Sequence, residues 1–302
     1  MPKSRKDELS LVQGRAVDAA IQILGEDDPK AKVYLHTALT QCFLPYREPK
    51  ETSHYMRESG NLTLVVSSGV LFNPKTRKPQ IQGIPYGAKP RLLMMHLCSE
   101  AIKRQSKTIP IEDSMSAFME QLGLAVTGGK KGTIGGFKEQ LNRLAAARLQ
   151  LLMAFDNSAS IINPAPVISK FDVWFPQDPK QKTLWPSEIT ISDEFYESLK
   201  HHALPLDVRG VRGIQHSARA LDLYVWLAHR LPRVKSKTGE KITWQALKPQ
   251  FGGTLSDDKN FKRHMLEALR FVKQAYPKAQ IEQVESGLVL KRSDPPIKKK
   301  LL

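Results

Sequence analysis

The sequence predicts an α+β fold, mostly α, in which three helices followed by a β-hairpin occur twice in tandem behind an N-terminal helical extension. Three observations predict it. The first is residues 256–292. Ser256, Asp257 and Asp258 make a helix start, an oxygen cap with carboxylates at the positive end of the dipole. At about 100° per residue, Phe261, Met265, Ala268, Leu269, Val272 and Tyr276 share one face. Lys259, Lys262, Arg263, Arg270 and Lys273 gather opposite. Pro277 stops the helix, and the β-rich runs 280–284 and 288–291 flank Glu285-Ser286-Gly287 as a hairpin. The second observation is that the same order of elements stands earlier in the chain. The third is a formal net charge of +16, from 46 Lys and Arg against 30 Asp and Glu. An apolar-backed, basic-fronted helix that runs into a hairpin is the layout of a winged helix, whose helix enters the major groove while the hairpin follows the backbone.

In chain order, residues 1–10 form a polar, basic lead-in. Residues 11–24 and 31–44 have helical spacing, separated by the breaker Gly25-Glu26-Asp27-Asp28-Pro29. Residues 47–60 are a polar connector. The β-branched run 61–72 predicts a strand closed by Asn73-Pro74, with a pairing partner near 80–84. Pro90 suits the first turn of a helix carrying Leu93, Leu97 and Ala101. Residues 108–111 are short and extended, and 112–122 form a second helix ended by Gly123. Thr133 caps a third helix with Phe137, Leu141, Leu144 and Arg148 on one side. A strand at 149–155, a turn at 156–160 and a return strand at 167–175 complete the first hairpin. Residues 177–186, rich in Pro and Lys, divide the modules, and 188–200 link them as a strand and a helix.

The second module opens with the apolar helix 217–231 behind a Ser217 cap. An extended step at 241–243 and a short helix, 244–251, ended by Gly252-Gly253, lead into the helix and hairpin described first. The expected domains are therefore 1–60 as extension, 61–186 and 187–294 as the two modules, and 295–302 as a basic tail with Lys298, Lys299 and Lys300.

The charge imbalance favours a polyanionic partner, because each neutralised phosphate releases a condensed counterion. A membrane surface requires a basic amphipathic helix with exposed Trp, Phe or Leu, or a lipidation signal, and neither stands in the sequence. Cys42 and Cys98 are too few for a zinc site, and a reducing cytoplasm fits them. The charged start MPKSRKDE, with no apolar run after it, is not a secretory signal. No stretch is long and apolar enough to span a bilayer.

Basic residues occupy equivalent places in the two modules. The first has Lys130 and Lys131 before its third helix, with Lys138, Asn142 and Arg143 on the outward side. The second has the α-helical set above plus Lys291 and Arg292 on the hairpin. Arg and Asn can read guanine and adenine edges bidentately, while Lys holds phosphate. Lys130, Lys131, Lys259, Lys262 and Lys291 are thus assigned to phosphates, and Asn142, Arg143, Arg263 and Arg270 to bases. Leu204-Pro205-Leu206-Asp207 reads as a turn leading to Arg209 and Arg212, which complete the DNA-contacting set.

Enzymatic readings find less support. The run 128–133, GGKKGT, lacks the GxxxxGK[ST] spacing and a preceding strand, so a nucleotide loop is disfavoured. Tyr196 near His201 and His202 raises a nicking enzyme with a tyrosine nucleophile. Adjacent histidines diverge by about 100° on a helix and chelate one ion poorly. Asp172, Asp193, Glu194 and Asp207 form no visible metal cluster. No catalytic site, metal or cofactor is expected.

Three stretches carry a family resemblance: GIPYGAKPRLLMMHL at 83–97, SLKHHALPLDVRGVRGIQHSARALDLYVWLAHRL at 198–231, and ITWQALKPQFGG at 242–253. Over about residues 80–275 the chain resembles the RepA-type plasmid replication initiators of bacteria. That resemblance implies a non-enzymatic protein of the bacterial cytoplasm that binds directly repeated sites on double-stranded DNA at a plasmid origin. It also implies opening of nearby A·T-rich DNA and partnership with the host initiator and replicative helicase. Relatives act as homodimers that repress their own promoter and as monomers that start replication. A winged-helix transcriptional repressor is the nearest alternative.

Overall fold

The computed structural model describes residues 5–25, 28, 31–73, 76–112, 114–129, 132–155, 158–162, 167–171, 188–253, 255 and 257–297. In chain order the elements begin with α1 (Arg5–Gly25), β1 (Lys32–His36), β2 (His54–Ser59), β3 (Leu62–Ser67), β4 (Val70–Asn73) and β5 (Lys78–Ile81). Then come α2 (Ala88–Arg104), β6 (Thr108–Pro110), α3 (Met115–Gln121), α4 (Thr133–Ala146), β7 (Arg148–Phe155), β8 (Ser158–Ile162), β9 (Ile168–Phe171) and β10 (Glu188–Ile191). The last are α5 (Asp193–His202), β11 (Ala203–Asp207), α6 (Val208–Ile214), α7 (Ala218–Arg230), β12 (Glu240–Thr243), α8 (Trp244–Phe251), α9 (Asp258–Ala275), β13 (Ile281–Val284) and β14 (Gly287–Leu290). The architecture is α+β, helices with small antiparallel sheets.

The chain folds as two units whose limits differ from those expected: residues 1–46 with 203–302, and residues 47–202. Strand pairing is the cause. β1 runs antiparallel to β11, with Lys32 opposite Asp207 and His36 opposite Ala203. Residues 31–44, expected as a helix, are therefore a strand and a short 3-10 turn, and 204–207, expected as a turn, are the strand's partner. Pro205 is tolerated because in a two-stranded sheet each strand has a free edge. Residues 47–60 are not a bare connector, since β2 pairs along β3. Residues 188–202 belong to the 47–202 unit.

In the unit of residues 1–46 and 203–302, small residues let helices approach closely. Ala16 and Ala19 of α1 are buried, and a Cβ on Gly213 of α6 would stand 2.9 Å from the Ala19 Cβ. The middle of α7 is buried from Ala220 to Ala228, and α9 packs along it. Tyr224 of α7 is fully buried, its hydroxyl accepts from the Asp207 amide at 3.1 Å, and its ring meets Tyr276 edge-on at 6.1 Å. Burial, with Asp207 near it, pushes the Tyr224 phenol above its ordinary pKa. β14 lies between β12 and β13, with Gly287 opposite Thr243 on one side and Val284 on the other. A Cβ on Gly287 would fall 1.9 Å from the Ile242 carbonyl oxygen, so only glycine admits this approach.

In the unit of residues 47–202, β3 and β7 form the centre of a four-stranded sheet ordered β2-β3-β7-β8. β6, β10 and β9 form a separate sheet in that order. The strand at 167–175 was expected to return along 149–155; instead β7 pairs with β3 and β8, and β9 pairs with β10. The predicted strand 61–72 is two strands, β3 and β4, broken at Ser68-Gly69. Pro90 does sit in the first turn of α2, behind Gly87 at a φ of 78°. His96, Phe118 and Phe137 stack edge-to-face at 5.3 and 5.8 Å and tie α2, α3 and α4 together.

Candidate nucleic-acid interface

α9 divides its sides as its spacing predicts. Phe261, Met265, Ala268, Leu269 and Val272 are buried, and Lys259, Arg263, Arg270 and Lys273 are exposed. From Lys259 to Arg270 is about 16 Å along the axis at 1.5 Å per residue, against a major groove about 12 Å wide. The helix starts on Asp257, whose carboxylate accepts from the amides of Lys259 at 3.1 Å and Asn260 at 3.0 Å. Ser256, the expected cap, lies outside the described residues, and Asp257, expected as a carboxylate at the dipole end, takes the cap position. Arg263 donates to the Asn260 side chain at 3.2 Å, within the exposed face. Burial holds His264 below its ordinary pKa, and the neighbouring cations Arg219 and Arg263 push the same way.

The hairpin tip is fastened to this helix. Trp244, first residue of α8, donates its indole N–H to the Glu285 carbonyl at 2.9 Å, and its amide donates to the Ser286 carbonyl at 2.9 Å. The Lys262 ammonium lies 5.8 Å from the Trp244 ring centre and donates to the same Glu285 carbonyl at 3.3 Å. Lys262, expected as a phosphate contact, thus also holds the tip of β13–β14. Lys291 pairs with Glu282 across the hairpin, and Arg292 is exposed beyond it. Sequence reasoning missed Trp244 as a clamp; its place directly after the Thr243 cap, facing a turn 41 residues later, is a nonlocal relation.

The other expected contacts fare differently. Asn142 is buried, 7% exposed, its Oδ1 without a hydrogen-bond partner. Arg143 is held on three sides: by Glu48 and Glu139, each at 2.5 Å, and by the Ile84 carbonyl at 3.2 Å, with Tyr86 beneath it at 5.2 Å. Neither side chain presents a free edge to a base, so both are corrected from readers to packing residues. Asn142 is covered within the unit, and the segment bearing Glu48, Ile84 and Tyr86 lies over the Arg143 side of α4. Lys138 is half-buried on α4, and Lys130 and Lys131 lie outside the described residues. Thr133 does not cap α4 with its side chain; its hydroxyl donates to the Ala125 carbonyl at 2.7 Å and closes the preceding loop.

Arg209 is likewise structural. It donates to both carboxylate oxygens of the buried Asp207, at 3.0 and 2.7 Å, and to the Gln22 carbonyl at 2.9 Å. It fastens α1 to the start of α6. Arg212 is exposed on α6. Tyr196 lies under Lys200 at 5.3 Å, with His201 and His202 exposed at the end of α5. Among the described residues no three His, Cys, Asp or Glu are grouped to hold a metal ion, and no helix is long and apolar enough to cross a membrane.

A family model described as "Plasmid encoded RepA protein" matches residues 84–246, more than half of the chain. The chain belongs to that family, the plasmid replication initiators. The match begins just before α2 of this RepA chain and ends inside α8, so α9 and its hairpin lie beyond it. No curated protein matches the sequence. Among solved structures, a crystal structure of domains 2 and 3 of RctB is similar in fold, with a TM-score of 0.50 at 10% identity, covering 84% of this chain and 96% of that one.

Proposed function

We infer that this RepA-family protein is a sequence-specific DNA-binding initiator that occupies directly repeated sites at a plasmid origin. In this reading α7, α8, α9 and the sheet β12-β14-β13 act as a winged helix. α9 enters a major groove, Arg263 and Arg270 read base edges, and Lys259, Lys273 and Arg292 hold phosphates. The clamped hairpin lies along the adjacent backbone. The single observation that carries the reading is the basic stripe of α9 standing beside a hairpin tip pinned by Trp244 and Lys262.

A second winged helix over α2, β6, α3, α4 and the sheet β6-β10-β9 is supported by its strand order. The strand between the first two helices, then the last strand, then the middle one, repeats the order β12-β14-β13. Its contacts fall to Lys138 and to the loop bearing Lys130 and Lys131, since Arg143 is engaged elsewhere. The protein is non-enzymatic in this proposal; opening of A·T-rich DNA and delivery of the host helicase follow from occupancy of the repeats, with the host initiator alongside.

Footprinting on the plasmid that encodes the protein tests the reading. The expected result is protection at regularly spaced repeats, lost in Arg263→Ala/Arg270→Ala. Uniform weak binding to all duplexes, unchanged in that variant, overturns it. Plasmid maintenance from an origin fragment with the protein supplied in trans separates an initiator from a repressor.

A further inference from the structure

β4 and β5 form a two-stranded ribbon, with Val70 opposite Ile81, Leu71 opposite Gln80, Phe72 opposite Pro79 and Asn73 opposite Lys78. Side chains alternate along a strand, so Val70, Phe72, Pro79 and Ile81 share one face. All four are exposed: Val70 at 55%, Phe72 at 59% and Ile81 at 73%, with Pro79 also open to solvent. Four exposed apolar side chains grouped on one face of a two-stranded ribbon point to a contact surface. The sequence of the ribbon, 70–81, contains Lys75, Arg77 and Lys78 and no acidic residue. Arg77 and Lys78 are exposed near its far end.

The root of the ribbon is fixed. A Cβ on Gly69 would stand 1.9 Å from the Ala146 carbonyl oxygen at the end of α4, and the Gln82 amide donates to the Gly69 carbonyl at 2.9 Å. At the other strand's exit, a Cβ on Gly83 would meet the Arg143 guanidinium at 2.6 Å, and Arg143 donates to the Ile84 carbonyl. A rigid base under a basic, apolar-faced arm fits a partner that is both anionic and able to receive an apolar wedge. The minor groove of duplex DNA is such a partner, with phosphates on its rims and stacked bases that part at flexible steps.

We propose that the β4–β5 ribbon is a minor-groove arm, in which Arg77 and Lys78 meet phosphates and Phe72 and Ile81 press between base pairs and bend the duplex. The proposal rests on the protein being a DNA binder, and it locates the distortion of A·T-rich DNA on a segment outside α9.

The test uses the full chain and a 40-base-pair A·T-rich duplex from its plasmid, labelled at both ends so that energy transfer reports bending. Phe72→Asn/Ile81→Ser changes only exposed side chains, and its thermal unfolding is checked against wild type. Expected are wild-type bending, loss of most of that bending in the face variant with less than a fivefold change in affinity, and a salt slope about 1.8 lower in Arg77→Ala/Lys78→Ala. A face variant that bends DNA like wild type overturns the proposal. So does a change from dimer to monomer in sedimentation with bending intact, which would assign the face to a second copy of the chain. A wild-type protein that binds no duplex overturns this arm and the initiator reading together, whereas binding without bending overturns the arm alone.

Discussion

Arg143 donates to the Glu48 carboxylate at 2.5 Å, and with this bond α4 loses the side chain best suited to read a guanine. The same guanidinium meets Glu139 and the Ile84 carbonyl, so its hydrogen-bonding fork is spent on holding the segment that precedes α2. Arg143→Ala is expected to destabilise the protein by about 1–3 kcal/mol, because the carbonyl of buried Ile84 and two carboxylates lose their donor. Arg143→Lys restores little, since an ammonium cannot replace the planar fork. Urea unfolding measures both. A DNA-binding defect without a stability loss would return Arg143 to the reading role.

On α9, Arg263→Ala is expected to cost about 1–3 kcal/mol at one base position and to relax preference there. Lys259→Ala weakens binding to all sequences alike and lowers the salt slope by about 0.9. Binding to single-base variants of a footprinted repeat, at several salt concentrations, distinguishes the two. Equal weakening by both variants would assign Arg263 to phosphate.

Trp244→Phe keeps the ring under Lys262 and deletes the indole N–H bond to Glu285. The expected stability cost is about 0.5–1.5 kcal/mol, the net worth of one hydrogen bond. Amide exchange at residues 284–288 should quicken while α7 keeps its protection. Unchanged exchange at the tip would show that the Ser286 and Lys262 bonds fasten it without the indole.

Arg209→Ala leaves the Asp207 carboxylate buried without its bidentate partner, and about 3–5 kcal/mol of stability is expected to be lost. Base preference measured on whatever protein remains folded should be that of wild type. A shift in preference at an unchanged melting temperature would make Arg209 a DNA contact after all.

His96 carries a pH dependence. Burial pushes its pKa down to about 4, with Lys103 and Arg104 acting in the same direction against Glu100. The unfolded chain, with an ordinary value near 6.5, therefore binds more protons than the native state between those two values. Stability is full above about pH 6.5 and falls as pH drops toward 4, by on the order of 3 kcal/mol from this group. His229, pushed to about 4 by burial and by Arg233 and Arg230, adds in the same sense. Unfolding free energies of wild type and His96→Leu between pH 7 and 4 check this. The variant's profile should be flatter.

Local patterns in the chain were sufficient for α9, because its apolar stripe repeats over five turns and caps at Asp257. The same holds for α7 and for the β13–β14 hairpin, whose turn chemistry is contiguous. Nonlocal pairing was not recoverable that way. Residues 32–36 carry an apolar spacing compatible with a helix, and only the partner at 203–207 makes them a strand. Asn142 and Arg143 fail for a related reason: a helix wheel places them on the outward side of α4, and the segment around Glu48 and Ile84 that engages Arg143 there is distant in sequence. Arg209 reads as a DNA contact in the sequence because its anchor, Asp207, reads there as part of a turn.

The pairing of β1 with β11 has a consequence for biosynthesis. Residues 32–36 emerge from the ribosome some 170 positions before the strand they need, with the whole of 47–202 made in between. The inserted unit has every partner it requires as soon as residue 202 is out, whereas the leading segment must wait, edge exposed, until synthesis is nearly over. A product truncated before residue 203 is therefore expected to carry one finished half and a solitary, adhesive N-terminal strand. Premature termination would thus leave an unpaired edge open to aggregation.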